Sequence, residues 1–316
     1  MGSGKSKIAI IGTGFVGATI AFTMSLSKLT NELVLIDVNS EKASGEAMDI
    51  NHGLSFVGQM SVYAGDYPDC ADCDVIIITA GANRKSGETR LDLAKKNVSI
   101  TKEITANIMK YYTRGVILVV TNPVDVITYM VQKWSGLPSG RVLGTGTVLD
   151  SSRFRYLLSE KFNIDVRNVH GYMIGEHGDS QLPAWSATHI AGKPIFEYFN
   201  APGSDFTEED EKAILDDVKS AGAEIIKKKG ATYYGIAVTV NTIVETIIKN
   251  QNTIRTVSTV MKGLYGIEDV ALSLPSIINS NGVKDVIRLN LTPAEEAGLQ
   301  YSAEQVKLIL NEVKDI

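Results

Sequence analysis

Hydrophobic positions in the first half of the chain fall into short, nearly continuous runs separated by longer segments of mixed polarity. Four runs are rich in β-branched residues: Lys7–Ile11, Leu33–Ile36, Val75–Thr79 and Val116–Val120. Such runs are typical of strands in a parallel sheet that is covered on both faces. Between the last two, residues 89–112 have helical periodicity and mixed charge. The pattern therefore predicts alternating strands and helices in this half.

Beyond about residue 150 this alternation loosens. Residues 170–174 and 187–190 have the character of short antiparallel strands, and residues 206–250 read as long helix with one break near Gly230. The change of pattern predicts a second domain of mixed, helix-rich composition that begins near residues 145–150.

A glycine-rich segment follows the first apolar run directly. Residues 12–17 read G-x-G-x-x-G and lead into an apolar helical stretch, Ala18–Leu26. In this strand–turn–helix setting the first glycine makes the turn, the second admits a pyrophosphate and the third lets helix and strand pack closely. The second apolar run ends at Asp37. A carboxylate there accepts hydrogen bonds from ribose hydroxyls and repels a 2′-phosphate, which indicates NAD rather than NADP.

These features predict an α/β protein with two domains. Residues 1–147 are expected to form an NAD-binding Rossmann domain with a doubly wound parallel sheet. Residues 148–316 are expected to form a mixed α+β substrate and catalytic domain. A non-catalytic dinucleotide-binding or sensor protein would share the glycines and Asp37, so catalysis needs separate evidence.

That evidence comes from a histidine in the middle of the chain. His177 lies between two glycines in the segment Gly175–Asp179 and is one of only four histidines. Upstream, Asp150 and Arg153 are spaced to open a helix. An imidazole for proton transfer, a carboxylate to orient it and a guanidinium to bind a substrate carboxylate are the groups that oxidation of a hydroxy acid needs. On its own, His177 could equally be a surface-loop histidine without a function.

Composition narrows the possible partners. The chain has 316 residues, 44% hydrophobic and 21% charged, with a net charge of −5. These values give no electrostatic reason to expect nucleic acid or an anionic membrane as a partner. No apolar stretch is long enough for a membrane span, and no signal peptide is visible. With only two cysteines, the sequence predicts a reducing, cytoplasmic location.

Three weaker motifs point elsewhere and are set aside. Gly4-Lys5-Ser6 lacks the strand and the earlier glycine of a phosphate loop. The same N-terminus fits the N-myristoylation pattern, but short Gly/Ser starts are also common as flexible ends, so lipidation is not expected. Cys70 and Cys73 form a C-x-x-C, but no second pair exists to complete a zinc site. They are expected to be half-buried structural thiols, and no metal site is predicted.

Taken together in chain order, these blocks resemble the lactate/malate dehydrogenase superfamily, and within it the bacterial lactate branch. The similarity extends over nearly the whole chain and is carried by residues 12–17, Asp37, Thr121-Asn122-Pro123, residues 149–153 and residues 175–180. The resemblance implies a fermentative enzyme of glycolysis that interconverts pyruvate and L-lactate with NAD, assembled as a homotetramer.

The resemblance also implies individual roles. His177 would be the acid–base, Asp150 its orienting partner, and Arg153 the group that binds the substrate carboxylate. Arg90 would polarise the substrate carbonyl from a closing loop, and Asn122 would lie near the nicotinamide. The cofactor residues implied are Gly12, Gly14, Val16, Gly17, Asp37, Lys42, Tyr67, Gly81, Ala82, Thr105, Val120, Asn122 and Thr147. The substrate residues implied are Arg84, Arg90, Asn122, Asp150, Arg153 and Thr232.

One position departs from the lactate pattern. The residue six before Arg90 is usually glutamine in lactate dehydrogenases and arginine in malate dehydrogenases, and here it is Arg84. Oxaloacetate would offer this guanidinium a second carboxylate, whereas pyruvate offers a methyl group. Glu88, Glu176 and the segment 230–234 resemble the lactate branch, with Thr232 closing the substrate pocket. Lactate dehydrogenase is therefore favoured, and malate dehydrogenase stays as the alternative.

Two basic residues occupy positions that resemble a regulatory site of the family. Arg155 and His170 match positions with which many bacterial lactate dehydrogenases bind fructose 1,6-bisphosphate at a subunit interface. Basic groups that face each other across a two-fold axis repel until a bisphosphate neutralises them, which would couple the effector to activity. The alternative is that both are ordinary surface or interface residues.

Overall fold

A computed structural model describes residues 6–82, 87–199 and 206–316 of the chain. Its first half contains six parallel strands in the spatial order β3-β2-β1-β4-β5-β6. This is the strand order of a doubly wound dinucleotide-binding sheet, and the predicted fold class is confirmed. The six strands are β1 (Lys7–Ile11), β2 (Glu32–Ile36), β3 (Ser61–Ala64), β4 (Val75–Ile78), β5 (Val116–Val119) and β6 (Val142–Gly144).

Helices cover both faces of this sheet. Successive residues of β1 point to opposite sides: Ile8 and Ile10 join one buried cluster, while Ala9 and Ile11 join the other. This two-sided burial explains why the strands have no polar alternation. The helices of this half are α1 (Phe15–Ser27), α2 (Ser40–Val57), α3 (Arg90–Met109) and α4 (Val124–Ser135).

In the described residues of the second half there are ten more strands, most of them short and antiparallel. The predicted strands near residues 170 and 190 do pair antiparallel, through His170 and His189. These ten are β7 (Val169–His170), β8 (Met173–Ile174), β9 (Leu182–Pro183), β10 (His189–Ile190), β11 (Lys193–Pro194), β12 (Thr253–Arg255), β13 (Ser258–Lys262), β14 (Glu268–Ser273), β15 (Ser276–Asn279) and β16 (Gly282–Val286).

Two of these strands, β13 and β14, extend the parallel sheet of the first half. β13 pairs antiparallel with β6, at Ser258 and Gly144, and with β14, so the main sheet has eight strands. Helix α4 packs against both added strands. The sheet therefore crosses the predicted division near residue 147, which a reading of local patterns alone does not anticipate.

The part of the second half that the structure describes also contains five α-helices. The predicted break near Gly230 is where α7 ends: Gly230 is its C-cap and has a φ of 87°, a conformation that favours glycine. Threonine and an acidic residue three positions on form capping boxes at the start of α7 and α9. These helices are α5 (Val148–Phe162), α6 (Ile195–Phe199), α7 (Glu208–Lys229), α8 (Tyr234–Ile248) and α9 (Pro293–Val313).

The two cysteines are more deeply buried than the sequence predicted. Cys70 and Cys73 are completely buried, not half-buried, and burial raises the pKa of each thiol to about 12. Both thiols are therefore protonated at neutral pH, which fits a structural role.

Of the helices described, none is long and apolar enough to cross a bilayer. Gly4 and Lys5 of the rejected phosphate-loop motif lie outside the described residues.

Candidate active site

The carboxyl ends of three neighbouring strands meet beside the glycine segment. β1 leads into Gly12, β4 leads into residues 80–82, and β5 leads into Asn122. Asn97, buried on α3, links the last two: its Nδ2 donates to the Asn122 carbonyl at 2.8 Å and its Oδ1 accepts from the Ala82 amide at 2.7 Å. Ligands of open α/β sheets bind at this edge. The sequence-based prediction did not include Asn97.

The three glycines have the surroundings that a phosphate-binding turn requires. Gly12 has a φ of 99°, and a Cβ at Gly17 would lie 1.9 Å from the Gly12 carbonyl oxygen, so neither position accepts a side chain. Gly14 is different, because a Cβ there would meet no atom within 4 Å. The N-terminus of α1 has no side-chain cap and no acidic residue in its first turn. Its free N–H groups and positive dipole end are therefore available to a pyrophosphate.

Asp37 lies at the end of β2, directly beside this turn. Its Oδ2 accepts hydrogen bonds from the Thr13 amide at 2.6 Å and the Thr13 hydroxyl at 3.0 Å, and its Oδ1 accepts from the Asn39 amide at 3.0 Å. Partial burial opposes ionisation, but these hydrogen bonds outweigh it and lower the pKa of Asp37. The residue is thus a fixed anion beside the glycine turn.

The other predicted cofactor residues are spread more widely. Val16, Val120 and Ala82 are half-buried near the same edge, Gly81 is exposed, and Lys42 is exposed on α2. Tyr67 lies in a short 3-10 helix that contacts α3. Thr105 and Thr147 are buried, and their hydroxyls donate to the carbonyls of Thr101 and Met173. In this conformation those two side chains offer no surface to a bound dinucleotide.

His177, Asp150 and Arg153 come together as one hydrogen-bonded group. Nδ1 of His177 lies 2.6 Å from Oδ2 of Asp150, and Nη1 of Arg153 lies 3.0 Å from Oδ1 of the same carboxylate. Asp150 is only 1% exposed, and each of its two oxygens is hydrogen-bonded to one of these two basic side chains. The hydrogen bond to Asp150 places the proton of neutral imidazole on Nδ1 and leaves Nε2 for proton exchange.

This arrangement favours the charged form of both partners. The negative charge of Asp150 and its hydrogen bond raise the pKa of His177 to about 9, against the effect of burial. Burial also opposes ionisation of Asp150, but the charges of His177 and Arg153 outweigh it and keep the pKa of Asp150 low. His177 is therefore a protonated donor at neutral pH, with a carboxylate that stays ionised beside it.

Arg90 and the loop of His177 are also in contact. Arg90 is the first residue of α3 and forms an ion pair with Asp179, two positions beyond His177. This hydrogen bond raises the pKa of Arg90 further. Both side chains are more than 70% exposed, so the pair lies at the rim of the site. Arg84 lies outside the described residues.

A second contact at the rim involves the link between α7 and α8. The ring of Tyr233 stacks on Phe15 of the glycine segment, with 5.6 Å between ring centroids. Thr232 is half-buried just before this tyrosine. The predicted substrate residue Thr232 therefore lies on a segment that contacts the glycine-rich turn.

The backbone of the His177 loop is fixed at three successive residues. Gly175 exchanges backbone hydrogen bonds with Ser273, and the Glu176 amide donates to Oγ of Ser302 at 2.7 Å. The His177 amide donates to Oδ2 of Asp125, also at 2.7 Å. Asp125 was not among the predicted site residues, although it stands three positions after Asn122.

A separate cavity of about 260 Å³ lies on the second half of the chain. Arg155, His170 and Arg255 line it together with Tyr172. Burial, and then the positive charge of Arg155, lower the pKa of Arg255. The cavity thus brings together cationic groups that repel one another, and Arg255 had not been predicted to belong to it.

Family models and solved structures agree with this geometry. Residues 6–144 match the NAD-binding domain of lactate/malate dehydrogenase, and residues 147–316 match the alpha/beta C-terminal domain of the same family. An L-lactate dehydrogenase from Thermoanaerobacter is 53% identical over 308 residues, covering 98% of this chain and 99% of the relative. One from Priestia megaterium is 52% identical, covering 95% and 94%.

Among solved structures, the minor L-lactate dehydrogenase of Enterococcus mundtii in its ligand-bound form has a TM-score of 0.95 at 45% identity, covering 98% of each chain. The L-lactate dehydrogenase of Clostridium thermocellum has a TM-score of 0.88 at 69% identity, covering 98% of this chain and all of the other. The fold, the nucleotide edge and the His177 group define an NAD-dependent 2-hydroxy acid dehydrogenase. The chain belongs to the lactate/malate dehydrogenase family.

Proposed function

We propose that this protein is an L-lactate dehydrogenase, which interconverts pyruvate and L-lactate with NADH and NAD. The observation that carries the proposal is the buried Asp150 carboxylate, which holds His177 on one oxygen and Arg153 on the other. Relatives about 50% identical over nearly the full chain are L-lactate dehydrogenases, which supports pyruvate over oxaloacetate.

Bound NADH supplies the hydride for this reaction. Protonated His177 donates its Nε2 proton to the oxygen of the substrate carbonyl, and in lactate oxidation neutral His177 takes the proton back. Asp150 keeps the ring in one orientation and stabilises its positive charge throughout.

Two arginines would orient the substrate. Arg153 is 17% exposed and already fixed through Asp150, so its remaining N–H groups can hold the substrate carboxylate as a bidentate pair. Arg90 would leave Asp179 and turn toward the substrate carbonyl when the site closes, which exchanges an exposed ion pair for a contact shielded from water. Asn122 and Thr232 would complete the pocket.

The substrate preference can be tested at Arg84. We expect the wild type to reduce pyruvate with the higher kcat/KM. If the Arg84 guanidinium reaches the substrate, Arg84→Gln should raise kcat/KM for pyruvate and lower it for oxaloacetate. The ratio should change at least tenfold, since a hydrogen bond to a charged group contributes ~1.5–3 kcal/mol. Steady-state kinetics with both acids and NADH measure this directly.

Lys85→Gln is the matched control, because it removes a positive charge from the adjacent position. We expect both kcat/KM values to stay within about twofold of wild type for this variant, well below the effect at Arg84. A wild type that strongly prefers oxaloacetate, and loses this preference in Arg84→Gln, would identify a malate dehydrogenase instead.

We further propose that the cavity of Arg155, His170 and Arg255 binds fructose 1,6-bisphosphate as an activator. Two arginines and a histidine meet there, and burial followed by the charge of Arg155 opposes the positive charge of Arg255. A dianionic phosphate would relieve that repulsion. If the effector binds one conformation of the protein more tightly, that conformation becomes favoured over the others.

Arg155→Ala should abolish the response to this effector. In the wild type, fructose 1,6-bisphosphate should lower the KM for pyruvate or strengthen subunit association, and neither effect should survive in the variant. Arg167→Ala is a suitable control because Arg167 is 86% exposed and pairs only within its own turn, with Asp165. Kinetics and sedimentation with and without effector measure the response. A wild type that ignores the bisphosphate in both assays would refute the regulatory site.

We also propose that the protein is a cytoplasmic homotetramer that acts in fermentative glycolysis, because the family resemblance supports this. The division at residue 147 is proposed as the boundary between nucleotide and substrate functions, and it adjoins the end of the NAD-binding match at residue 144.

A further inference from the structure

One aromatic side chain is exposed within the glycine segment itself. Phe15 is the first residue of α1 and is 70% exposed. The glycine motif requires no aromatic residue at this position, and a ring with this exposure adds little to the core. Its ring stacks on Tyr233, at an angle of 21° between the ring planes. Phe15 thus joins the glycine turn to a segment of the second half of the chain.

Tyr233 is the last residue of the link between α7 and α8, residues 230–233. Its ring meets Tyr234 edge to face with 4.5 Å between centroids, and Nζ of Lys229 lies 3.6 Å from the centroid of Tyr233. Within the described part of the chain, the amides of the two residues before Tyr233 donate no backbone hydrogen bond. Contacts of the Tyr233 ring therefore hold the link in place.

The link lies between the two parts of the candidate active site. On one side it contacts the glycine turn through Phe15. On the other side α8 begins close to α5, since a Cβ at Gly235 would lie only 3.1 Å from Cδ1 of Leu149. Leu149 directly precedes Asp150, the partner of the catalytic histidine. The link therefore spans the distance from the cofactor turn to the helix that orients the proton donor.

We propose that Phe15 is a positioning residue that determines which 2-oxo acids the enzyme accepts. By stacking on Tyr233 it holds the neighbouring Thr232 at the wall of the substrate pocket. The inference rests on the proposed function, in which Thr232 completes that pocket. A fixed wall gives the methyl group of pyruvate a close contact, whereas a mobile wall loses this contact and leaves room for a longer apolar chain.

The test compares pyruvate with 2-oxobutyrate and 2-oxovalerate, which have longer straight side chains, at saturating NADH. In Phe15→Ala, we expect kcat/KM for pyruvate to fall. The ratio of kcat/KM for the longer acids to that for pyruvate should rise about 2- to 10-fold, the range that one aromatic pair contributes. The change should lie mainly in KM, because the proton donor and its partner are untouched. Fluorescence titration with NADH measures any effect on cofactor affinity separately.

Variants of both rings show whether the stack is responsible. Phe15→Tyr keeps an aromatic ring and should keep the wild-type ratio. Tyr233→Ala removes the other ring and should raise the ratio at least as much as Phe15→Ala. The double variant should match Tyr233→Ala alone, because the stack is already lost there. A double variant in which the two single effects multiply would show that the rings act separately, and the proposal would be wrong.

Phe22→Ala is the matched control. Phe22 is an exposed phenylalanine on the same helix, 53% exposed, but it lies among residues of α1 and α2. We expect this variant to keep the wild-type ratio of the longer acids to pyruvate. An equal rise in Phe22→Ala and Phe15→Ala would assign the effect to the helix as a whole. An unchanged ratio in Phe15→Ala would overturn the proposal directly.

Limited proteolysis tests the hold on the link without any measurement of activity. Lys227, Lys228 and Lys229 are exposed at the end of α7 and give trypsin cleavage sites beside the link. Cleavage requires local opening of the chain, so Phe15→Ala should be cut there about 2- to 10-fold faster than the wild type, and Phe22→Ala should not. Equal cleavage rates in Phe15→Ala and the wild type would overturn the proposal. Failure of the proposed function would be recognised separately, as a wild type that reduces neither pyruvate nor oxaloacetate.

Discussion

Replacing His177 by Asn should lower kcat for pyruvate reduction by about 10²–10⁴-fold, the usual contribution of a general acid. Asparagine can still donate a hydrogen bond toward Asp150, but it has no proton to give to the carbonyl oxygen. NADH binding should stay near the wild-type value, because His177 lies on a loop of the second half, whereas the glycine turn and Asp37 belong to the first. Stopped-flow kinetics and NADH fluorescence titration measure the two quantities.

The pH profile adds a signature of this role. With the pKa of His177 raised to about 9, kcat/KM for pyruvate should be constant near neutral pH and fall as pH rises through about 9. Lactate oxidation should rise over the same interval, since it needs the neutral ring. Residual activity in His177→Asn should lack this step. Turnover within tenfold of wild type would show that another group carries the proton.

The second large effect is expected for Asp150→Asn. Asp150 is the shared partner of His177 and Arg153, so its charge supports both proton donation and substrate binding. We expect kcat/KM for pyruvate to fall by about 100-fold or more, since the comparable change in a Ser-His-Asp triad costs about 10⁴ in kcat. Both a lower kcat and a higher KM should contribute, and the pH midpoint should move below 9.

Asp165→Asn is a suitable control for Asp150→Asn. Asp165 also pairs with an arginine, Arg167, but at the surface and within one turn. We expect its kinetics to match the wild type, because exposed ion pairs contribute little. If Asp150→Asn changed KM alone, the carboxylate would serve Arg153 and have no part in proton transfer.

Much of the nucleotide half could be predicted from the sequence because its signals are local. A β-branched run, a glycine turn and a helix follow one another in β1 and α1, and the structure forms each in place. The His177 segment was recognised for a similar reason, since two glycines flank one of few histidines. The residue types also suggested Asp150 as the carboxylate that orients this histidine, and the structure places the two side chains 2.6 Å apart.

The parts that the sequence did not reveal depend on contacts between distant residues. Asn97 links two strand ends, and Asp125 reaches Ser258, 133 positions along the chain. Both sit within helices whose local pattern is fully explained by packing, so no periodicity or spacing marks them. The choice of lactate over malate dehydrogenase, which Arg84 left open in the sequence, is supported by L-lactate dehydrogenase relatives about 50% identical over nearly the full chain.

The continuation of the main sheet into β13 and β14 limits how this enzyme can move. Many two-domain enzymes close over a ligand by rotating about a hinge between rigid bodies. Here such a rotation would have to separate β13 from β6 and break the bond between Asp125 and Ser258. The pairing of β13 with β6 therefore opposes a hinge rotation between the two halves. Because Gly175 of the His177 loop pairs with Ser273 of β14, one continuous sheet carries both the glycine turn and the catalytic histidine.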